Sequence, residues 1–369
     1  MTRRIGSDSV RKSRVKIMDL ADALNLSKGT ISRALNGYPD ISESTRLRVR
    51  NQAQRMGYVP LSSAQAIRTG RARALGLVLR VDSHDSHRAF LTDFLDGVSR
   101  AAGEQDWTLT VATATSEDDE FATLRRLTAE RKADGFILPR SLARDTRIDV
   151  LRDEQMPFIL YGRTQTDAGC SWFDVLGERA MQQAVGRFAA LGHRRIGFVN
   201  GNAAYNYAGL REGGYGAGLA GAGLPVDRDL IMSGAMTPDQ GEAATRALLA
   251  LRAPPTAIVF ALDGAALGAY AAARDLGLEI GRDLSVIGYD GAPEGRHADP
   301  ALSTYQVDSR RAGERLATLL IDQIRGAEPE GLRETVEATF VARGSDGPPR
   351  VTSEDLAQKL GATTPHWEE

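Results

Sequence analysis

The 369-residue chain has a single cysteine, Cys170, so an intrachain disulfide, a CxxC pair and a zinc-type cysteine set are all excluded. Aromatic residues make up only 6%, and no apolar run approaches the ~20 residues needed to span a bilayer. The opening residues, MTRRIGSDSVRKSR, lack the apolar stretch of an export signal. Neither HExxH nor GxSxG occurs, and Cys170 has no base arranged beside it in the sequence. These absences argue against a membrane protein, a secreted disulfide scaffold and the common hydrolases. The expectation is a cytoplasmic, non-enzymatic protein with no membrane partner, no metal and no cofactor. With 42% apolar and 25% charged residues the composition is globular. The length implies more than one domain.

What is present is a charge split. The net charge of −2 conceals a head, residues 1–73, with 15 basic against 5 acidic residues, and a remainder with 31 against 43. A basic head on an acidic body points to a polyanionic partner for the head. Residues 1–13 read as a disordered basic tail. From there Ile17, Leu20, Ala21 and Leu24 share one helical face. Asn25 tolerates the left-handed conformation of a tight turn. Ser27 is placed to cap a second helix with Ile31, Ala34 and Leu35 inward, and Ser42 a third, with Thr45, Val49, Ala53 and Met56 inward and Gly57 as its stop. Two short helices joined by a tight turn and braced by a third are the plan of a helix-turn-helix DNA reader. Lys28 and Gly29 then open the reading helix, and Arg33 lies further along it. Lysine and arginine can donate to guanine O6 and N7. Ser27, Thr30 and Ser32 suit phosphate oxygens.

The segment IMDLADALNLSKGTISRALNGYPDISESTRLRVRNQAQRMGYVP resembles the head of the LacI/GalR family of bacterial transcription regulators, most closely through TISRALN, ISESTRLRV and GYVP. Lys16 stands where the family usually caps the first helix with Thr or Ser, and Leu24-Asn25 where it usually has Ala-Gly. The resemblance implies a DNA-binding domain over 14–60, with Asn36 and Tyr58 completing the DNA-facing set, and a hinge over 61–73. Such hinges fold on operator DNA and enter the minor groove, with an apolar wedge at the central base step. Ala64 and the wedge position Ile67 fall there, with Leu61 where the family has Asn.

From Ala74 onward short β-rich runs, such as ALGLVL, DGFILP, PFILYG, RIGFVN, TAIVFAL and LSVIGYD, alternate with helical segments. That alternation predicts parallel sheets with right-handed crossovers. About 270 residues of it should form two doubly wound α/β subdomains, and ligands of such sheets bind beyond the carboxyl ends of the strands. ALGHRRIGFVNG, LGAYAAARDLGLEIGRDLSVIGYDG and PALSTYQVD are similar to the family's core, itself akin to periplasmic sugar-binding proteins. The resemblance implies an effector-binding and dimerisation core over 74–346. Its N-subdomain would be about 74–173 with 307–336, and its C-subdomain about 174–306 with 337–346. The tail, 347–369, lacks the leucine heptads of a tetramerisation helix, so a homodimer on a pseudo-palindromic operator is expected.

A sugar site needs polar side chains for several hydroxyls and aromatic faces for the ring. Asp290, Arg211 and Asp263 lie at strand ends or the following helix starts. The resemblance places Asp290 and Arg211 on ligand-binding positions. Arg163, Trp172, Asp174, Phe90, Tyr205 and Tyr207 are further candidates; each aromatic could equally be core, and each charge a structural pair. Leu262 stands where many relatives have asparagine, and Met236 where the lactose-type pocket has tryptophan, so the pocket is not a copy of the galactoside site. YGR followed by SWFD suggests an α-glucoside-type effector. The implied function is a repressor of a carbohydrate operon, released from DNA by a small sugar. Alternatives are a corepressor mode with sugar or purine, a sugar-binding or transport module without regulation, and a nucleoside- or sugar-processing α/β enzyme. Asp82, His84, Asp85 and His87 have spacing too loose for a metal site. The glycines of GAGLAGAGL (216–224) sit in a helical pattern rather than after a strand, which argues against a dinucleotide fingerprint.

Overall fold

The computed structural model describes residues 15–58, 70–80, 88–166 and 168–363. The chain divides into two units, Met1–Ala72 and Arg73–Glu369.

In the first unit α1 (Ile17–Leu24), α2 (Lys28–Leu35) and α3 (Glu43–Met56) close on one small core. Leu20, Ile31, Ala34 and Val49 are fully buried in it, with Ala21 and Ala53 nearly so. Asn25 takes the left-handed conformation at φ 52° and ends α1, making the turn that its side chain favours. The backbone N–H of Lys16 donates to Asp19 at 2.7 Å, so the acidic third residue of α1 supplies a cap that the Lys16 side chain does not. Ser27 accepts from the Thr30 N–H at 3.0 Å and Ser42 from the Thr45 N–H at 3.3 Å. Gly57, at φ 65°, ends α3. The hinge positions Ala64 and Ile67 lie outside the described residues.

The second unit runs β1 (Ala74–Arg80), α4 (Arg88–Glu104), β2 (Thr108–Ala114), α5 (Glu117–Ala129), β3 (Gly135–Leu138), α6 (Thr146–Asp153), β4 (Phe158–Tyr161) and β5 (Ser171–Val175). Then follow α7 (Gly177–Leu191), β6 (Ile196–Val199), α8 (Asn206–Gly221), β7 (Ile231–Met232), α9 (Pro238–Leu249), β8 (Ala257–Phe260), α10 (Asp263–Asp275) and β9 (Ser285–Asp290). The chain closes with β10 (Ser303–Gln306), α11 (Ser309–Ile324), β11 (Arg333–Val336), β12 (Thr339–Val341) and α12 (Ser353–Thr363). Among the described residues the strands make two six-stranded sheets, ordered β11-β5-β4-β3-β1-β2 and β12-β10-β9-β8-β6-β7. Every pairing is parallel except β10 with β12.

Both faces of each sheet are covered, which is why the strands read as continuous apolar runs. In β3, Phe136 and Leu138 pack toward α5 and α6, while Ile137 joins α4 and α11 on the other face. In β8, Ile258 and Phe260 face α9 and α10, and Val259 faces α7 and α8. The chain passes between the lobes after β5, after β10 and again between β11 and β12.

Two boundaries differ from the sequence reading. A border at 173/174 would cut β5, whose residues through Val175 pair with β4 and β11. The segment after 346 is not simply a tail. Leu356 of α12 is fully buried in the second lobe's core, with Val351 and Leu360 packed beside it, and Lys359 pairs with Asp283 at 2.8 Å. A short amphipathic helix with few apolar residues is a weak signal, and only the lobe surface gives it something to cover. The glycines of the 216–224 stretch belong to α8 up to Gly221, and Gly214 just before them lets α8 approach α7: a Cβ there would lie 2.1 Å from the Glu178 carbonyl oxygen. Asp82, His84, Asp85 and His87 lie outside the described residues.

Candidate functional site

On the head, α2 presents Lys28, Gly29 and Arg33 to solvent, with Ser27 exposed at its N-terminus. Thr30 and Ser32 are half-buried, and Thr30 Oγ1 is 2.9 Å from Ser27 Oγ. Arg33 donates to Asp40 at 2.5 Å and lies 5.4 Å from the Tyr38 ring centroid, so its fork is held out beside the loop that follows the helix. Asn36 is turned back onto its own helix, its Nδ2 donating to the Ser32 carbonyl at 2.6 Å. Tyr58 packs its ring against the head's core. An exposed helix N-terminus flanked by short hydroxyls and two cations suits contact with phosphate and base edges.

In the second unit a cavity enclosing roughly 910 Å³, its open mouth included, lies between the lobes at the carboxyl ends of both sheets. From the first lobe come Pro139–Ser141 after β3, Tyr161–Arg163 at the end of β4, and Asp174 of β5. From the second come Glu178, Tyr207 and Arg211 on helices, Met236 and Leu262 in loops after strands, and Asp290 at the end of β9. The strand order places all these ends on one side, as the parallel topology requires.

Arg211 is the centre of the second lobe's wall. Its guanidinium lies 4.0 Å from the Tyr289 ring centroid and 4.4 Å from that of Tyr207. Nη1 donates to the Ala261 carbonyl at 2.5 Å, whereas the buried Nε has no partner among the described residues. Burial opposes the Arg211 charge, but Tyr289 and Asp290 beside it raise its pKa overall. Gly177 makes the arrangement possible, since a Cβ there would come 2.8 Å from Arg211 Nε. Asp290 ends β9 at φ 116°, a conformation costly for any residue but glycine and found most often where a site demands it.

On the facing wall Arg163 bridges two carboxylates, Asp174 at 2.5 Å and Glu178 at 2.6 Å. Burial pushes the Asp174 carboxyl above the usual carboxylate range, against the pull of Arg163. Burial likewise raises the Tyr207 hydroxyl to about 12, so it stays a neutral donor or acceptor.

The structure thus brings Asp290, Arg211, Arg163, Asp174 and Tyr207 to one cavity. Trp172 does not line it, but supports Arg163 from behind at 6.0 Å. Tyr205 also stands off, stacked on Tyr207 at 5.5 Å. Of Phe90 only the backbone in α4 is described. Asp263 is a correction: it is fully buried and not part of the wall. Its Oδ2 accepts from the N–H groups of Gly291 and Ala292 at 2.8 and 2.7 Å, and its Oδ1 from the Thr304 hydroxyl at 2.7 Å. It fixes the loop carrying Asp290 instead of reaching the cavity. Gly288 gives it room, since a Cβ there would meet Oδ1 at 2.0 Å. The sequence reading did not include Tyr161, Tyr289, Arg140, Ser141 or Glu178. Their only sequence signal is position: Tyr161 and Tyr289 lie in the last two residues of a strand, Arg140 and Ser141 in the loop after one, and Glu178 in the first turn of a helix.

An arginine clamped by carboxylates, an arginine between two tyrosine rings and a strained aspartate give the cavity a wall dense in hydrogen-bonding groups. Among the described residues no group of His, Cys, Asp or Glu could hold a metal, and no helix is long and apolar enough to cross a membrane.

A helix-turn-helix unit joined to a two-lobed α/β ligand-binding unit defines the class: a DNA-binding regulator built on a periplasmic-binding-protein-like core. Comparison with known proteins narrows it. Residues 16–61 match the bacterial regulatory proteins of the lacI family, and residues 185–345 a periplasmic binding protein-like domain. The chain is 34% identical over 342 residues to the HTH-type transcriptional regulator AglR of Rhizobium meliloti, covering 90% of this chain and 95% of that one. It is 31% identical over 343 residues to the HTH-type transcriptional regulator CelR of Thermobifida fusca, covering 91% and 99%. Among solved structures, a transcriptional regulator CelR–cellobiose complex matches with a TM-score of 0.70 at 28% identity, over 90% of this chain and 100% of that one. The lac repressor dimer bound to operator and the anti-inducer ONPF shares the fold, with a TM-score of 0.77 at 21% identity over 91% and 100%. The chain belongs to the LacI family of bacterial transcriptional regulators, and it is a DNA-binding transcription regulator.

Proposed function

We propose that this regulator is a cytoplasmic homodimeric repressor of a carbohydrate operon, released from its operator when an uncharged sugar of the α-glucoside type fills the interlobe cleft. The observation that carries the reading is the charge and shape balance of the cavity wall. Three arginines, Arg140, Arg163 and Arg211, are matched in the lining by three carboxylates, Asp174, Glu178 and Asp290, together with Tyr207 and Tyr289. A lining without excess charge favours hydroxyls over a phosphate group. The relation to a regulator solved with cellobiose supports a saccharide, and the different aliphatic residues Leu262 and Met236 support one other than a galactoside. On the head, Lys28 and Arg33 read base edges and Gly29 permits close approach, while Ser27, Thr30 and Ser32 hold phosphates. Release requires the sugar to bind the DNA-incompetent arrangement of the lobes more tightly, because equal affinity would shift nothing.

Thermal unfolding against maltose, melibiose, methyl α-D-glucoside, cellobiose, glucose 6-phosphate and hypoxanthine tests this. A ligand at about 100 times its Kd stabilises the native state by ~2.7 kcal/mol. Stabilisation by an α-glucoside, followed by loss of operator binding in fluorescence anisotropy, is the expected outcome. A hit confined to the phosphosugar or the purine would overturn the effector class, and tighter operator binding with ligand would overturn the sign.

A further inference from the structure

Beneath the strap that follows β3 lies a charged cluster outside the cleft. Arg147, in the first turn of α6, is only 7% exposed. Its Nε and Nη2 donate to the two oxygens of Asp145 at 2.8 and 2.7 Å, and its Nη1 to Glu120 at 3.1 Å. Glu120 and Asp145 are themselves buried. Taking a guanidinium and two carboxylates out of water is costly, and well-packed apolar residues would serve stability as well or better. The cluster therefore calls for a reason other than stability.

The geometry supplies one. Arg147 Nη2 also donates to the carbonyls of Pro139 at 3.1 Å and Arg140 at 3.4 Å, and Asp145 accepts the Leu142 N–H at 3.1 Å. Pro139, Arg140 and Ser141 wall the cavity, and Arg140 is held at φ 53°, which residues with side chains rarely adopt. The same strap then meets the other lobe. The Asn206 N–H donates to the Ser141 carbonyl at 3.1 Å, the Ala143 N–H donates to the Ala204 carbonyl at 3.0 Å, and Leu142 and Tyr205 form an antiparallel bridge. Tyr205 stacks on Tyr207, whose ring faces Arg211.

We propose that Arg147 is a positioning residue for ligand binding: with Glu120 and Asp145 it fixes strap 139–143 so that this segment both walls the cleft and clasps the second lobe at 204–206. The proposal rests on the cleft being the effector site. An apolar side chain could fill the space of Arg147 but could not hold two carbonyls, and lysine could keep the charge but not the fork.

The test is amide hydrogen exchange on the full-length protein without ligand, read in peptides containing Ala143 and Asn206. The variants are Arg147→Lys and the milder Glu120→Gln, which keeps an acceptor for Nη1. Val98→Ala, a core truncation on the opposite face of the first sheet, controls for general destabilisation. Exchange at the two clasp amides should accelerate at least tenfold in Arg147→Lys and less in Glu120→Gln, and should not do so in Val98→Ala. Unchanged exchange in both cluster variants, or equal acceleration in the control, overturns the proposal. For whichever of maltose, melibiose, methyl α-D-glucoside or cellobiose binds the wild type, Kd should weaken at least tenfold in Arg147→Lys while sugar-free operator affinity holds. An opened strap with unaltered sugar affinity also overturns it. A wild type that binds none of the four refutes the sugar reading, and the exchange result still decides whether Arg147 positions the strap.

Discussion

Asp263 offers the sharpest test of the site's construction, because one carboxyl group is asked to be a buttress and not a ligand. Three donors converge on it, two backbone N–H groups of the Asp290 loop on Oδ2 and the Thr304 hydroxyl on Oδ1. Asparagine can satisfy all three, since its oxygen accepts both amides and its NH₂ donates to a rotated Thr304 hydroxyl. Alanine satisfies none. With about 1 kcal/mol for each lost hydrogen bond, Asp263→Ala should cost ~3 kcal/mol at pH ~4, where the carboxyl is protonated in the folded state and partly so in the unfolded one, whereas Asp263→Asn should stay within ~1 kcal/mol of wild type at that pH. Burial, with Asp290 adding to it, pushes the Asp263 carboxyl up to about 8, against the hydrogen bonds it accepts. Its unfolded value is ~3.9. Between those values the folded state holds more protons than the unfolded one, so this group's contribution is complete below pH ~4 and is lost as pH rises through about 8. Relative to Asp263→Asn, the wild type should therefore lose ~2.6 kcal/mol between pH 6 and pH 8.5. Urea unfolding followed by circular dichroism at the two pH values measures the difference. A pH-independent gap would refute the protonated buttress. If Asp263→Asn lost tenfold or more in sugar affinity with its stability intact, Asp263 would be a ligand contact after all.

Other consequences concern separate parts of the molecule. Arg33→Ala should cost ~1–3 kcal/mol in discrimination between operator and altered sequences; competition binding at fixed salt reads it, and an unchanged preference would remove Arg33 from the reading surface. Arg211→Met keeps the length but loses the donors and the ring contacts. Sugar affinity should fall ~10–100-fold, as expected for a lost charge-assisted bond of ~1.5–3 kcal/mol, with sugar-free operator binding retained; isothermal titration within threefold of wild type would contradict the site. Leu356→Ala should destabilise the second lobe by ~2–5 kcal/mol, since Leu356 is fully buried there. A change under ~0.5 kcal/mol would show that α12 does not dock on the lobe in solution.

Much of the architecture was written in local pattern. The reading helix announced itself through Ser27 as cap, Asn25 as turn and the spacing of Ile31, Ala34 and Leu35, all interactions closed within about ten residues. The strands β1, β3, β4, β6, β8 and β9 were legible because both of their faces are buried and their sequences are correspondingly apolar. Less legible were β10 and β12. In β10, Ser303 and Thr304 are fully buried polar residues, tolerable only because Asp346, the Arg343 N–H and Asp263 complete their hydrogen bonds. Those partners lie about 40 residues away in the chain. The resemblance placed Asp290 and Arg211 in the cleft, yet Tyr161 and Tyr289 could not be read there, since an aromatic near a strand end serves a core equally well, nor Glu178, since an acid in a helix's first turn serves the helix dipole equally well.

The sequence by itself determined the charge split, the three-helix head and the alternation that makes two parallel α/β lobes, because capping, periodicity and strand burial are short-range constraints. Only the tertiary structure decided which strand-end side chains face a common cavity and which stand behind it. Asp263 and Asp290 are both aspartates at strand ends, and the local sequence does not distinguish them. One is sealed under a loop by three donors and the other is turned into the cleft at a strained φ, a difference set by Gly288, Thr304 and the order of strands in the sheet. Long-range packing assigns the roles because hydrogen-bond satisfaction of a buried carboxylate depends on what the fold brings to it, not on its neighbours in the chain.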